Sequence, residues 1–354
     1  MYNIRIKAGK RLCAIIRDGG FSLDSISTYF APAVGPRWLI AGGFDLTLMN
    51  KGILGRSGQV LLIGSSAGAF RLAAWLQPEA EKSYLALREA YINLTYKKGD
   101  TPSAVLKSLG NVVNSYIEDD ALPFALANKK YRLAIIAARA RHLVASEVGW
   151  IQQFGLWLCF LLNAAHRSRM RDFFERVVFY SGAKPPYFCL RGDFRGRYIP
   201  LNEINFKHAI LASASIPLIV AGVRDIYGAP KGVYRDGGLA DYHVAEHYAP
   251  EESVTLFFHH QERIIPCWLD KRLSSRRPPD EALENVLMVF PTARFVEKLP
   301  GGKVPEREDF VTYIDEPAAR IKNWRRAVEL SAPLGEEFLE LVESGQIKDA
   351  VEQI

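Results

Sequence analysis

The stretch Val60-Leu61-Leu62-Ile63-Gly64-Ser65-Ser66-Ala67-Gly68-Ala69-Phe70 decides how the rest of the chain is read. Its leading apolar run predicts a buried strand, and the run from Ala67 through Leu72, Ala73, Ala74, Trp75 and Leu76 to Pro78 predicts a helix. Between them stands Gly-x-Ser-x-Gly, with Ser66 at its centre. A serine at such a strand-to-helix turn is strained and presented to substrate, and the small residues Gly64 and Gly68 let strand and helix close around it. The start of the helix aims N–H groups and a positive dipole end at the hydroxyl, which favours a developing oxyanion. The order strand, elbow, helix is that of an activated serine nucleophile.

Working outward, 354 residues, 49% hydrophobic and 24% charged, suit a globular protein with a substantial core. A net charge of +6 favours anionic surfaces or simple solubility. The basic residues are dispersed without interleaved aromatics, so nucleic-acid binding is not expected. Met1 to Arg11 carries no secretory pattern, and the scattered Cys13, Cys159, Cys189 and Cys267 suit a reduced, cytoplasmic protein.

Upstream of the elbow, Trp38-Leu39-Ile40-Ala41 reads as a short strand ending in Gly42-Gly43, after a helix and loop over residues 10–30. With Gly52-Ile53-Leu54 and the elbow strand this makes a βαβ unit. Downstream come a helical region over 78–126, a strand at Leu133 to Ala138, β-like segments at Val177 to Tyr180, Tyr187 to Leu190 and Tyr198-Ile199, and a helix from Phe206 toward Pro217. Further strands are expected at Val254 to Phe258 and Val286 to Phe290, with helix over most of 316–346. The most apolar run, Phe154 to Ala165, is too short to span a bilayer, which takes about 20 residues. Arg167, Arg169 and Arg171 follow it. It reads as a buried helix, or as an interfacial helix beside a lipid site in which Phe154, Leu158 and Leu161 receive an acyl chain.

A serine hydroxyl needs a base, and three kinds are present. Asp236 ends a β-like segment and precedes two glycines that permit close approach to other backbone. To work as a base it must be partly desolvated, raising its pKa from about 4. Asp18, in the similar Arg17-Asp18-Gly19-Gly20, reads as a helix stop. His259 or His260 would complete the order Ser, Asp, His.

Four ordered pieces together resemble the patatin-like phospholipases: Gly42-Gly43 before Gly52-Ile53-Leu54, the elbow 64–69, Ala212-Ser213-Ala214-Ser215-Ile216-Pro217, and Asp236-Gly237-Gly238-Leu239-Ala240-Asp241. The resemblance implies a three-layer α/β fold with a mostly parallel sheet flanked by helices. It implies a Ser66–Asp236 dyad hydrolysing lipid acyl esters, with the oxyanion held by Gly42, Gly43 and Ala67. Residues 36–260 would form the acyl-hydrolase core, 1–35 a lead-in, and 261–354 a mostly helical extension covering it. The family's glycine turn usually has a third glycine, a basic residue and another glycine, whereas this chain reads Gly43-Phe44-Asp45-Leu46-Thr47. That departure leaves a weakly active lipid-binding or regulatory relative, or an acyltransferase, as the other readings. Lipid is the expected partner, with peripheral contact to an anionic membrane surface.

His243-Val244-Ala245-Glu246-His247 has the His-x-x-Glu-His spacing of some zinc peptidases, but no third ligand follows at a suitable distance. It reads as a solvated helix face. No metal or organic cofactor is expected.

Overall fold

A computed structural model of the chain describes residues 2–192 and 195–354. These form a sheet of eleven strands: β1 Ile4–Ala8, β2 Ile26–Ala31, β3 Val60–Ser65, β4 Tyr131–Ala140, β5 Phe174–Tyr180, β6 Arg197–Pro200, β7 Val223–Arg224, β8 Val233–Arg235, β9 Val254–Phe258, β10 Val286–Pro291 and β11 Val351–Gln353. The order is β11-β1-β10-β9-β2-β3-β4-β5-β6, with β8 paired to β4 and β7 to β8. The central run β10-β9-β2-β3-β4 is parallel throughout. Antiparallel pairing enters where β1 joins β10 and where β5 and β8 join β4. The fold is therefore α/β, a mostly parallel sheet flanked by helices. Strands covered on both faces read as continuous apolar runs, as β10 does with every residue buried.

The first nine α-helices are α1 Lys10–Arg17, α2 Gly42–Asn50, α3 Ala67–Ala74, α4 Ala80–Asn93, α5 Pro102–Asn114, α6 Leu122–Leu126, α7 Gly149–Ala165, α8 Met170–Phe173 and α9 Phe206–Ser213. Helices Pro317–Ser331 and Leu334–Glu343 follow β10. Residues 36 and 260 do not mark breaks in the sheet. β1 and β2 come from before the first, and β10 and β11 from after the second.

Four local expectations are corrected. Trp38 to Ala41 is not a strand but the end of a 3-10 helix, Gly35–Ala41, that runs straight into α2. All four residues are buried, so their run carries no alternation to separate strand from helix, while Pro36 near the start favours the helical turn. The strand of the βαβ unit is instead β2, at Ile26–Ala31, within the stretch read as helix and loop. Tyr187–Leu190 is a 3-10 turn. Residues 243–247 have no helical structure, so His243 and His247 do not share a helix face.

Helix α2 is a core element. Phe44 lies against Phe258 and Phe338, with ring centroids 4.8 and 5.3 Å away. Asp45, fully buried, meets Arg71 Nε at 2.5 Å and accepts hydrogen bonds from Tyr29 and Tyr84 hydroxyls, each at 2.5 Å. Helix α7 is one-sided: Gln152, Gly155, Leu156, Cys159 and Asn163 face inward, while Trp150, Phe154, Trp157 and Leu161 form an exposed stripe at helical spacing. No helix among the described residues is long and apolar enough to cross a membrane. All four cysteines are buried and free.

Candidate active site

The ten-residue strand β4 sets the site. Along one side it pairs first with β3, from Val60 opposite Tyr131 to Ser65 opposite Ile136, and then with β8, whose Arg235 stands opposite Ala138. β3 runs parallel to β4 and β8 antiparallel, so the ends of β3 and β8 meet head to head. Ser66 and Asp236 are the next residue of each.

Ser66 has φ +53° and ψ −120°, the strained conformation of a nucleophile elbow. Both elbow glycines are required by space. A Cβ on Gly64 would lie 2.5 Å from the Ala69 Cα, and one on Gly68 would lie 2.0 Å from the Ala31 carbonyl oxygen. The Ser66 N–H donates to Ser213 Oγ at 2.8 Å, and that hydroxyl donates to the Ile136 carbonyl at 2.6 Å, tying α9 to the elbow and to β4. The Asp236 N–H donates to the Ser215 carbonyl at 3.0 Å. Ser213 and Ser215 thus pin Ser66 and Asp236.

Ser66 Oγ–H donates to Asp236 Oδ2 at 2.6 Å, and Asp236 Oδ1 accepts from the Gly238 N–H at 2.7 Å. Serine and aspartate are 5% and 7% exposed. Burial raises the Asp236 carboxyl to about 6, against the opposing pull of the hydrogen bonds from Ser66 and Gly238. At neutral pH it is ionised, yet far more basic than an ordinary aspartate. Ala67 begins α3, where the first N–H groups have no intrahelical acceptor.

The pair opens into a cavity of about 80 Å³ lined by Ala33, Val34, Gly35, Arg37, Tyr242 and Trp268 among others, with Lys271, Arg307 and Glu308 at its charged side. Gly35 has φ +54°, and its N–H, at the start of the 3-10 helix, has no backbone acceptor among the described residues. Gly42 and Gly43 do not line this cavity. They begin α2 in the core, where a Cβ on Gly43 would sit 2.5 Å from backbone atoms of Ser331 and Ala332. Phe44 and Asp45 lie with them, and Arg71 neutralises the Asp45 charge. The glycine turn that contributes to the cavity of Ser66 is the one carrying Val34, Gly35 and Arg37. Its signal in the sequence is the Pro32 and Gly35-Pro36 turn residues that follow the strand-forming stretch Ile26 to Phe30 within a few positions. Lys271 is lowered to about 8 by burial and by Arg37 and Arg307.

The other candidates lie elsewhere. Asp18 caps the end of α1 and is followed by Gly19 at φ +81°, a helix stop. His259 packs with His243 and His260, ring centroids 4.0 and 4.4 Å away, and faces the Arg263 carbonyl through Nε2 at 3.3 Å; no histidine lines the cavity with Ser66. Glu246 pairs with Arg176 at 2.7 Å, and no cluster of three metal-ligating side chains occurs among the described residues. Phe154 and Leu161 are solvent-facing on α7, and neither they nor Leu158 line the cavity of Ser66.

Fold and site together define an α/β protein with a serine–aspartate pair at an elbow. Compared with protein-family models and with curated proteins, the chain matches none.

Proposed function

We propose that this chain is a serine-dependent acyl hydrolase of the patatin-like type, with a three-layer α/β fold, acting on glycerolipid esters. The observation that carries the reading is the 2.6 Å hydrogen bond from an elbow serine at positive φ to a buried carboxylate of raised pKa. Ser66 Oγ attacks the ester carbonyl carbon as Asp236 Oδ2 takes its proton. The tetrahedral oxyanion is met by the N–H groups of Ala67 and Gly35, the second replacing the role expected of Gly42 and Gly43. Collapse breaks the ester C–O bond, and Asp236 returns the proton to the leaving alcohol. A water deprotonated by the same carboxylate then attacks the acyl-serine carbonyl, the bond from that carbon to Ser66 Oγ breaks as Asp236 returns the proton to Oγ, and the fatty acid leaves.

Two features support a lipid carrying an anionic group. Arg37, Lys271 and Arg307 bring positive charge to the cavity of Ser66, suited to a phosphate near the scissile ester. The exposed stripe Trp150, Phe154, Trp157 and Leu161, followed by Arg167, Arg169 and Arg171, has the apolar-plus-basic composition of a surface that rests on an anionic bilayer. This gives α7 a surface role in place of the acyl-chain pocket expected of Phe154, Leu158 and Leu161. The ground for expecting a crippled oxyanion turn, Phe44 and Asp45, lies in the core.

The test is fatty-acid release from vesicles of phosphatidylcholine and phosphatidylglycerol and from triacylglycerol emulsion. Activity is expected on the phospholipids, with Ser66→Ala and Asp236→Asn each lowering kcat by at least about 10³-fold. Undiminished release by Ser66→Ala, or no release by the unaltered protein while its fold is intact, rejects the reading.

A further inference from the structure

A second and larger cavity lies apart from Ser66. It has a volume of about 730 Å³ and is walled by α8, β5, β6 and the 239–240 segment. Among the described residues six arginines line it, Arg141, Arg167, Arg171, Arg176, Arg195 and Arg197, against two carboxylates, Glu175 and Glu246. Leu239 forms part of both cavities; the cations of the two are different residues.

The carboxylates present are already engaged. Glu175 meets Arg139 at 2.8 Å, Arg141 at 3.1 Å and Arg197 at 2.9 Å, so one negative charge serves three positive ones. Glu246 and Asp241 are both engaged by Arg176. Arg167, Arg171 and Arg195 have no carboxylate within ion-pair distance among the described residues. Burial, together with the neighbouring Arg195, Arg176 and Arg167, pulls the Arg171 guanidinium downward. A concave site that keeps several guanidinium groups together with too few internal anions is electrostatically unfavourable when empty and favourable when an external anion enters. Guanidinium forks match phosphate oxygens in pairs, and the three arginines without a carboxylate partner among the described residues, Arg167, Arg171 and Arg195, carry more positive charge than a single phosphodiester neutralises.

We propose that this arginine-lined cleft is a binding site for a ligand bearing two or more phosphate groups, separate from the Ser66 cavity. The chemistry is shared by a soluble polyphosphorylated compound and by a polyphosphorylated lipid headgroup, and it stands whether or not Ser66 turns over.

The two sources are separated by two probes. Calorimetry with inositol hexakisphosphate reads the soluble ligand. Flotation with phosphatidylcholine vesicles containing phosphatidylinositol bisphosphate, against vesicles of matched charge made with phosphatidylserine, reads the headgroup. The pair Arg167→Ala/Arg171→Ala, at a half-buried and an exposed position, is expected to weaken binding of whichever probe is taken up by at least about tenfold, and Arg171→Glu to weaken it further, at an unchanged Tm. Arg11→Ala/Arg56→Ala, outside the cleft, is expected to stay within about twofold. Binding of hexakisphosphate alone assigns a soluble ligand, and preference for bisphosphate vesicles over serine vesicles assigns a headgroup; either supports the site. No binding of either probe, equal binding to both vesicle types without hexakisphosphate binding, or equal loss in the Arg11/Arg56 variant overturns it. Because hydrolysis by Ser66 is read separately, and Ser66→Ala should bind the probes normally, failure here is distinct from failure of the hydrolase reading.

Discussion

In the proposed hydrolysis, Asp236 serves chemistry at the expense of stability. As a base it must be ionised, so kcat/KM is expected to rise with pH and reach half its plateau near the carboxyl pKa of about 6. The same raised pKa acts on folding with the opposite sign. Between the unfolded value of about 4 and the folded value, the unfolded chain gives up its proton first, so this group's stabilising contribution is present at low pH and lost as pH rises through about 6. Asp236→Asn should therefore abolish turnover while raising stability at pH 8 by up to about 3 kcal/mol, read by urea unfolding. A stability loss in that variant would show that the carboxylate is held by more than its bonds to Ser66 and Gly238. Gly68→Ala makes the complementary case. Its new Cβ meets the Ala31 carbonyl at 2.0 Å, a contact with backbone that no rotamer relieves, and a loss of about 1–3 kcal/mol or more is expected in the same measurement.

At the scale of elements, the sequence yields the elbow readily and the proposed oxyanion turn poorly. β3 and α3 were legible because an apolar run, a Gly-x-Ser-x-Gly and a second apolar run of different period follow one another without interruption. Asp236 was legible from the glycines behind it, and the geometry brings it to Ser66 from 170 residues away. The turn at Val34 to Arg37 was missed because Gly42-Gly43 is the more conspicuous glycine pair. Those glycines answer to a packing need, the backbone of Ser331 and Ala332, which only the folded chain reveals. β2 was missed for a related reason: its serine and threonine broke the apolar run, and Trp38 to Ala41 looked more like a buried strand. Gly35→Ala tests the reassigned turn. A left-handed φ of +54° disfavours alanine by about 1 kcal/mol, and kcat is expected to fall more than KM changes as the N–H shifts; an unchanged kcat would remove Gly35 from the oxyanion site.

Across the whole molecule, two buried charge arrangements set how the protein responds to its surroundings. Asp45 and Arg71 are both essentially without exposure, so Asp45→Ala leaves an uncompensated cation in the core and should cost about 3–5 kcal/mol, whereas Asp45→Ala/Arg71→Met should recover part of that loss. His243, His259 and His260 are held neutral, foremost by burial, His259 down to about 3, and the ring nitrogens His243 Nε2, His259 Nδ1 and His260 Nδ1 have no hydrogen-bond partner among the described residues. Below about pH 6.5 the unfolded chain takes up protons that the folded one refuses. Stability is thus expected to fall as pH drops from 6.5 toward 3, by up to about 1.4 kcal/mol per pH unit for each ring. Urea midpoints at pH 7.5 and 5 should show a shallower decline in His259→Phe than in the unaltered protein; parallel declines would assign the acid sensitivity elsewhere.

The four free cysteines make the same interior observable in time. Cys13 packs in the large cluster that spans much of the sheet, Cys189 in the one around Phe30 and Tyr248, and Cys159 and Cys267 in the one beneath α7. Burial lifts Cys159 and Cys189 to about 12 and raises Cys267 as well, so alkylating reagents find almost no thiolate at these three in the closed protein. Each sulfur becomes reactive only when its own region opens. Pulsed alkylation read by peptide mass would then act as a clock with separate hands, reporting whether the region under the aromatic stripe breathes before the sheet that carries Ser66 comes apart.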